Sequence, residues 1–141
     1  MFKYFTDIMK KIIFLLTFFI SILVMNAAIL SDRLFHKESY GAEFYGNSTP
    51  LSKTFEDVCV INWTAKSYFG GRNVVVSFTL SGAETANETF SLLNQYSLKS
   101  GSVGNASNPS NYNLRGSVTC NGSYSDASGI ICFDAFSTSL N

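Results

Sequence analysis

Cys59-Val60-Ile61-Asn62-Trp63-Thr64-Ala65-Lys66, followed after Gly70-Gly71-Arg72-Asn73 by Val74-Val75-Val76-Ser77-Phe78-Thr79-Leu80-Ser81, is the stretch on which the fold turns. In its first half Cys59, Ile61, Trp63 and Ala65 alternate with Val60, Asn62, Thr64 and Lys66. A period of two places each set on one face of a strand. In its second half Val74, Val76, Phe78 and Leu80 alternate with Val75, Ser77, Thr79 and Ser81. The intervening glycines tolerate positive φ, so the pattern predicts a hairpin. Burying Ile61, Trp63, Val76, Phe78 and Leu80 at roughly 1.5–3 kcal/mol each supplies much of the folding drive. A slip of one residue would expose that whole set, so the register is expected to be firm.

Working outward toward the C-terminus, residues 82–99 carry two patterns. Ser81-Gly82-Ala83-Glu84 fits a capping box, with Ala86, Phe90 and Leu93 at helical spacing, which gives a helix near 83–97. Phe90, Leu92, Tyr96 and Leu98 alternate with Thr89, Ser91, Gln95 and Ser97, which gives a strand over 89–98 that only Leu93 and Asn94 offend. The strand is the preferred reading. Residues 99–111 are Gly, Ser and Asn with Pro109 and read as a solvated loop. Residues 114–119 and 130–136 read as a second hairpin whose mirror axis at Asp126 sets Cys120 opposite Cys132. The fold class expected is mainly β: a small antiparallel sandwich or open barrel of about five strands after an N-terminal signal helix. The alternative is α+β with the one helix near 83–97.

Toward the N-terminus, residues 28–55 lack a sustained period and read as an irregular segment ahead of a β domain over 56–141. Before them, Lys10-Lys11, an apolar run over 12–25 and Asn26-Ala27-Ala28 have the three-part build of a secretory signal. Residues 1–27 are therefore read as a signal peptide, with Met9 an alternative start that would give it a tidier form. A retained anchor is the rival, because residues 12–30 approach the ~20 needed to span a bilayer. The expected location is outside the cytoplasm: periplasm, cell surface or secreted, with no membrane contact once the signal is cut.

Composition narrows the function class. Formal net charge is zero, charged residues are 14%, and no Lys/Arg cluster follows residue 11. A nucleic-acid surface needs a basic stripe to displace counterions, so no nucleic-acid partner is expected. The cysteines are Cys59, Cys120 and Cys132. In an oxidising compartment two pair, and the hairpin reading selects a Cys120–Cys132 disulfide, contributing on the order of 3 kcal/mol. Cys59 is then left as a buried thiol or as the means of self-association through a bond between chains.

Catalysis finds few residues. His36 is the one histidine, so any Ser-His-Asp or Cys-His arrangement must use it, and no Gly-x-Ser-x-Gly elbow presents a serine. Glu56 and Asp57 are adjacent and would point to opposite faces of a strand. The chain is read as non-enzymatic. The one cluster with a chemical reading is Phe35, His36, Tyr40, Phe44 and Tyr45, an imidazole, two phenols and two rings within eleven residues. Haem iron takes His or Tyr as an axial ligand, so His36 and Tyr40 are candidate iron ligands and the rings candidate walls for hemin or another flat apolar ligand. The rival is an anchored linker packing on the sheet, in a protein that serves as a structural or adhesive surface subunit associating through strand edges or a disulfide. Asn-x-Ser/Thr sequons stand at Asn47, Asn62, Asn87, Asn105 and Asn121, which the richness in these residues accounts for.

Overall fold

The computed structural model describes Met9 and residues 33–69, 74–93, 96–120 and 127–138. The signal helix expected over 1–27 and the hairpin tip near Asp126 lie outside the described residues. Among the described residues eight strands are present where the sequence suggests about five: β1 (Phe35–Tyr45), β2 (Thr49–Val58), β3 (Val60–Phe69), β4 (Val74–Ser81), β5 (Thr85–Leu92), β6 (Leu98–Gly104), β7 (Ser110–Cys120) and β8 (Ser128–Ser137). The stretch read as irregular thus contributes β1 and β2. No helix occurs among the described residues from 33 onward, so the helix near 83–97 is replaced by β5 and the start of β6. The solvated loop expected over 99–111 holds most of β6 and the start of β7.

The strands form two antiparallel sheets of four, ordered β1-β8-β3-β6 and β2-β7-β4-β5. Four of the pairings, β1·β8, β2·β7, β3·β6 and β4·β5, are those of a single long hairpin bent at its middle. Rolling that hairpin brings β8 to β3 and β7 to β4, which closes the two sheets. This is jelly-roll topology. It explains both hairpin corrections. β3 and β4 lie in different sheets and face each other across the core, so the alternation read over 59–81 is right and the pairing is not. β7 and β8 are likewise in different sheets, so Cys120 and Cys132 are not cross-strand neighbours.

The inward sets meet in one core. Tyr112, Phe44, Phe55, Phe133, Leu51 and Ile61 are fully buried. Aromatic rings bridge the sheets: Trp63 meets Phe78 edge-on at 5.3 Å and lies flat on Phe90 at 5.3 Å, and Phe78 meets Phe133 edge-on at 5.1 Å. Trp63 also lies against Gly101 of β6, where an added Cβ would stand 2.5 Å from the indole ring. A side chain at 101 and an indole at 63 cannot share that space.

The outer face of the β2-β7-β4-β5 sheet is hydroxyl and amide. Ser77 and Thr89 share a hydrogen bond at 3.0 Å, Thr79 donates to Asn87 at 2.7 Å, and Thr54 donates to Asn113 at 3.0 Å. These polar groups satisfy one another across the strands, as cross-strand pairs do.

Candidate functional site

All five residues of the proposed haem grip fall on β1, and the strand does not bring them together. A register shift between His36 and Glu38 inserts an extra residue against β8. In a regular strand His36 and Tyr40, four apart, would share a face. The bulge turns them to opposite ones. His36 lies exposed on the outer face, its ring edge-on to Phe136 at 5.6 Å. Tyr40 packs inward toward the core, 6.2 Å from the Phe133 ring. Phe44 is fully buried, Phe35 half-buried, and Tyr45 exposed with its hydroxyl donating to Glu43. The iron-ligand pair His36 and Tyr40 and the walls Phe35, Phe44 and Tyr45 are thus divided between core and surface.

The same bulge assembles a different cluster. His36 and Ser39, three apart, would ordinarily point opposite ways, and here they meet: Nε2 of His36 lies 2.8 Å from Oγ of Ser39. Ser39 donates to Oδ1 of Asp134 on β8, which is 3.6 Å from the same imidazole nitrogen. The residue types are those of a catalytic triad but the wiring is not. In a triad the histidine stands between serine and carboxylate, accepting from one and donating to the other. Here the serine stands between, its proton held by the carboxylate, so the imidazole has no hold on the nucleophile. With side chains 53% and 44% exposed at His36 and Asp134, the cluster is a solvated polar clasp between β1 and β8.

The three cysteines are free. Cys59 is fully buried, with Sγ 3.9 Å from Oγ1 of Thr138, so a bond between chains through it would require the fold to open. Cys120 is buried on the inner face of its sheet, whereas Cys132 is half-exposed on the outer face of the other, between Gly41 and Thr64. The expected Cys120–Cys132 bond is therefore not formed, and the accessible thiol is Cys132. Burial raises both thiols; the Asp134 carboxylate raises Cys132 further, and a backbone hydrogen bond at Gly46 pulls Cys120 partly back. A raised thiol keeps its proton longer in the folded state than in the unfolded one. Stability is then full below the unfolded cysteine value of about 8.5 and falls as pH rises through it. The alkaline fall in the urea midpoint should be shallower in Cys132→Ser. Iodoacetamide should modify Cys132 faster in Asp134→Asn at fixed pH; an unchanged rate would refute the coupling.

The two flanks of the sandwich differ. One carries edge strands β1 and β2, the other β5 and β6. The first is blocked and clipped. It has bulges in both strands, Pro50, and Asp57 at φ +49°. Lys53 pairs with Glu38 at 2.7 Å, and Lys37 pairs with Asp57 at 3.8 Å while donating to the carbonyls of Glu56 and Asp57. Bulges, prolines and edge lysines are the devices that keep strand edges from pairing with other chains. The second flank has an unbroken register in both strands and no proline; each strand carries one charge, Glu88 on β5 and the edge lysine Lys99 on β6, and the Gly104 amide at the end of β6 donates to the Glu84 carboxylate.

Beside that flank the β5–β6 connection exposes Leu93 at 64%, Tyr96 at 64% and Leu98, the first residue of β6, at 61%. Tyr96 adopts φ +59°, a conformation a bulky side chain rarely takes, and Lys66 lies over its ring at 6.0 Å. The alternation over 89–98 puts Tyr96 and Leu98 in the core; the signal against it is Leu93, the apolar residue out of step. β5 ends at Leu92 and the chain crosses to the other sheet, so the period restarts at Leu98. Compared with known proteins, the chain matches no family model, no curated protein and no solved structure.

Proposed function

We propose that the chain is an exported, non-enzymatic β-sandwich that acts as a structural or adhesive subunit, associating with other protein through strand edges. The signal-like residues 10–28 support export. The observation that carries the reading is the asymmetry of the flanks: the edge bulges and the edge proline lie on β1 and β2, whereas β5 and β6 keep an unbroken register guarded by one charge each, Glu88 and Lys99, which leaves them the more open to an added strand of matching charge. The triad-like cluster supports a non-catalytic reading through its wiring, and the division of His36 from Tyr40 argues against a haem grip on β1. Chemical cross-linking on intact producing cells tests it. The chain should be recovered in adducts of higher mass under reducing conditions. Recovery at its own mass alone would sink the proposal.

A further inference from the structure

We infer that the β5/β6 flank is occupied by a second copy of this chain, related by a two-fold axis parallel to the strands. The inference rests on the associative reading above and names its partner. A strand edge takes an extended strand, and the choice of partner turns on area and charge. Edges of eight and seven residues are about 25 Å long, and stacked sheets lie about 10 Å apart. One edge pair alone covers a footprint on the order of a few hundred Å², short of the roughly 800 Å² per partner of a stable interface. Engaging β5 and β6 together, with Leu93, Tyr96 and Leu98 closing over their connection, approaches that scale.

Charge selects how the copies meet. Like-with-like pairing would set β5, whose one charge is Glu88, against its own copy, and β6, whose one charge is Lys99, against its own. The axis parallel to the strands instead sets β5 beside the second copy's β6, twice. Glu88 belongs to the inward set of β5 with Ala86, Phe90 and Leu92; Lys99 is in step with Gly101 and Val103, the inward set of β6. The five residues between Leu92 and Leu98 are too few to return the chain along the length of a strand, so β6 runs opposite to β5 and both new pairs are antiparallel. Each sheet of four then continues into a sheet of eight, with the strand bearing the carboxylate beside the strand bearing the ammonium.

Sedimentation equilibrium of the chain recovered from the exporting cell, in reductant, tests this. A reversible dimer is expected. Glu88→Lys and Lys99→Glu should each weaken it about tenfold, roughly 1.4 kcal/mol, and the double exchange should restore it. Leu98→Lys, at an exposed position that leaves the fold intact, should weaken it similarly. A dimer unmoved by all of these overturns the inference while leaving association by another surface standing. A monomer that still yields cross-linked adducts on cells overturns it in the same way. A monomer without adducts overturns both.

Discussion

Phe133→Ala should lower the unfolding free energy by about 3–5 kcal/mol, the range for deleting a buried phenylalanine ring. Phe133 is fully buried on β8, a central strand held between β1 and β3. Its ring meets Phe78 of the opposite sheet edge-on at 5.1 Å and lies 6.2 Å from Tyr40 on the neighbouring strand. Removing it opens a cavity where the two sheets touch, and the surrounding rings are fixed by their own strands and cannot collapse into it. Against a total of about 5–15 kcal/mol for a domain, that is about a fifth or more of the stability. Phe136→Ala is the control. Three residues on, it lies on the outer face, half-exposed against the His36 ring edge, and its loss should cost under about 1 kcal/mol. Urea unfolding of both variants reads the register directly: equal losses would mean that β8 does not alternate as described.

The alternation of β3 and β4 is legible in residues 59–81 because period-two patterning is local: each inward residue needs only a buried face, whichever strand supplies it. Pairing is not local. Trp63 and Phe78 share a core as well in a hairpin as across a sandwich, and only the full set of eight strands separates the two. β1 and β2 escape notice for another reason. The bulges after His36 and Phe55 shift the period, and charged residues such as Lys37, Glu38 and Lys53 sit on the half-buried flank, where they pair across the sheets. That flank therefore reads as irregular although it is extended throughout. The same bulge sets His36 and Tyr40 on opposite faces, since a spacing of four residues means one face only while the strand stays regular.

The proposed association rests on the same distribution of irregularity. Bulges and ion pairs on β1 and β2 make that flank a finished edge, whereas β5 and β6 keep an unbroken register up to the turn at Gly104 and border exposed Leu93, Tyr96 and Leu98. A chain that guards one flank more heavily than the other has a directional surface. The hydroxyl face of the β2-β7-β4-β5 sheet is spent on its own cross-strand hydrogen bonds, and the His36–Ser39–Asp134 clasp on the other sheet is a solvated contact. The β5/β6 flank is where backbone hydrogen-bonding capacity and apolar surface coincide.

The integrity of that flank depends on Gly104, and Gly104→Ala should destabilise the fold by about 3 kcal/mol or more. Two costs combine. Gly104 holds φ +105°, a region essentially reserved for glycine, where another residue is strained by about 1–3 kcal/mol. An added Cβ would also stand 2.1 Å from the Cys59 carbonyl oxygen and 3.1 Å from the Tyr112 hydroxyl, and such overpacking costs about 1–3 kcal/mol. The clash is with backbone, so relief requires β6 to leave β3, where Gly104 pairs with Val60, and to surrender the 3.2 Å bond from the Gly104 amide to Glu84. Gly41→Ala is the matched control: its Cβ would meet only Cys132 Sγ at 3.7 Å, an ordinary contact. Reducing the entropy of the unfolded chain then makes Gly41→Ala neutral or stabilising by up to about 1 kcal/mol. Thermal and urea unfolding of the pair separate strain from mere change of side chain. Amide hydrogen exchange in Gly104→Ala should show its largest gain in residues 98–104; a uniform gain, or a loss no greater than that of Gly41→Ala, would show that the β6 terminus gives way freely and that the flank is not held rigid by this turn.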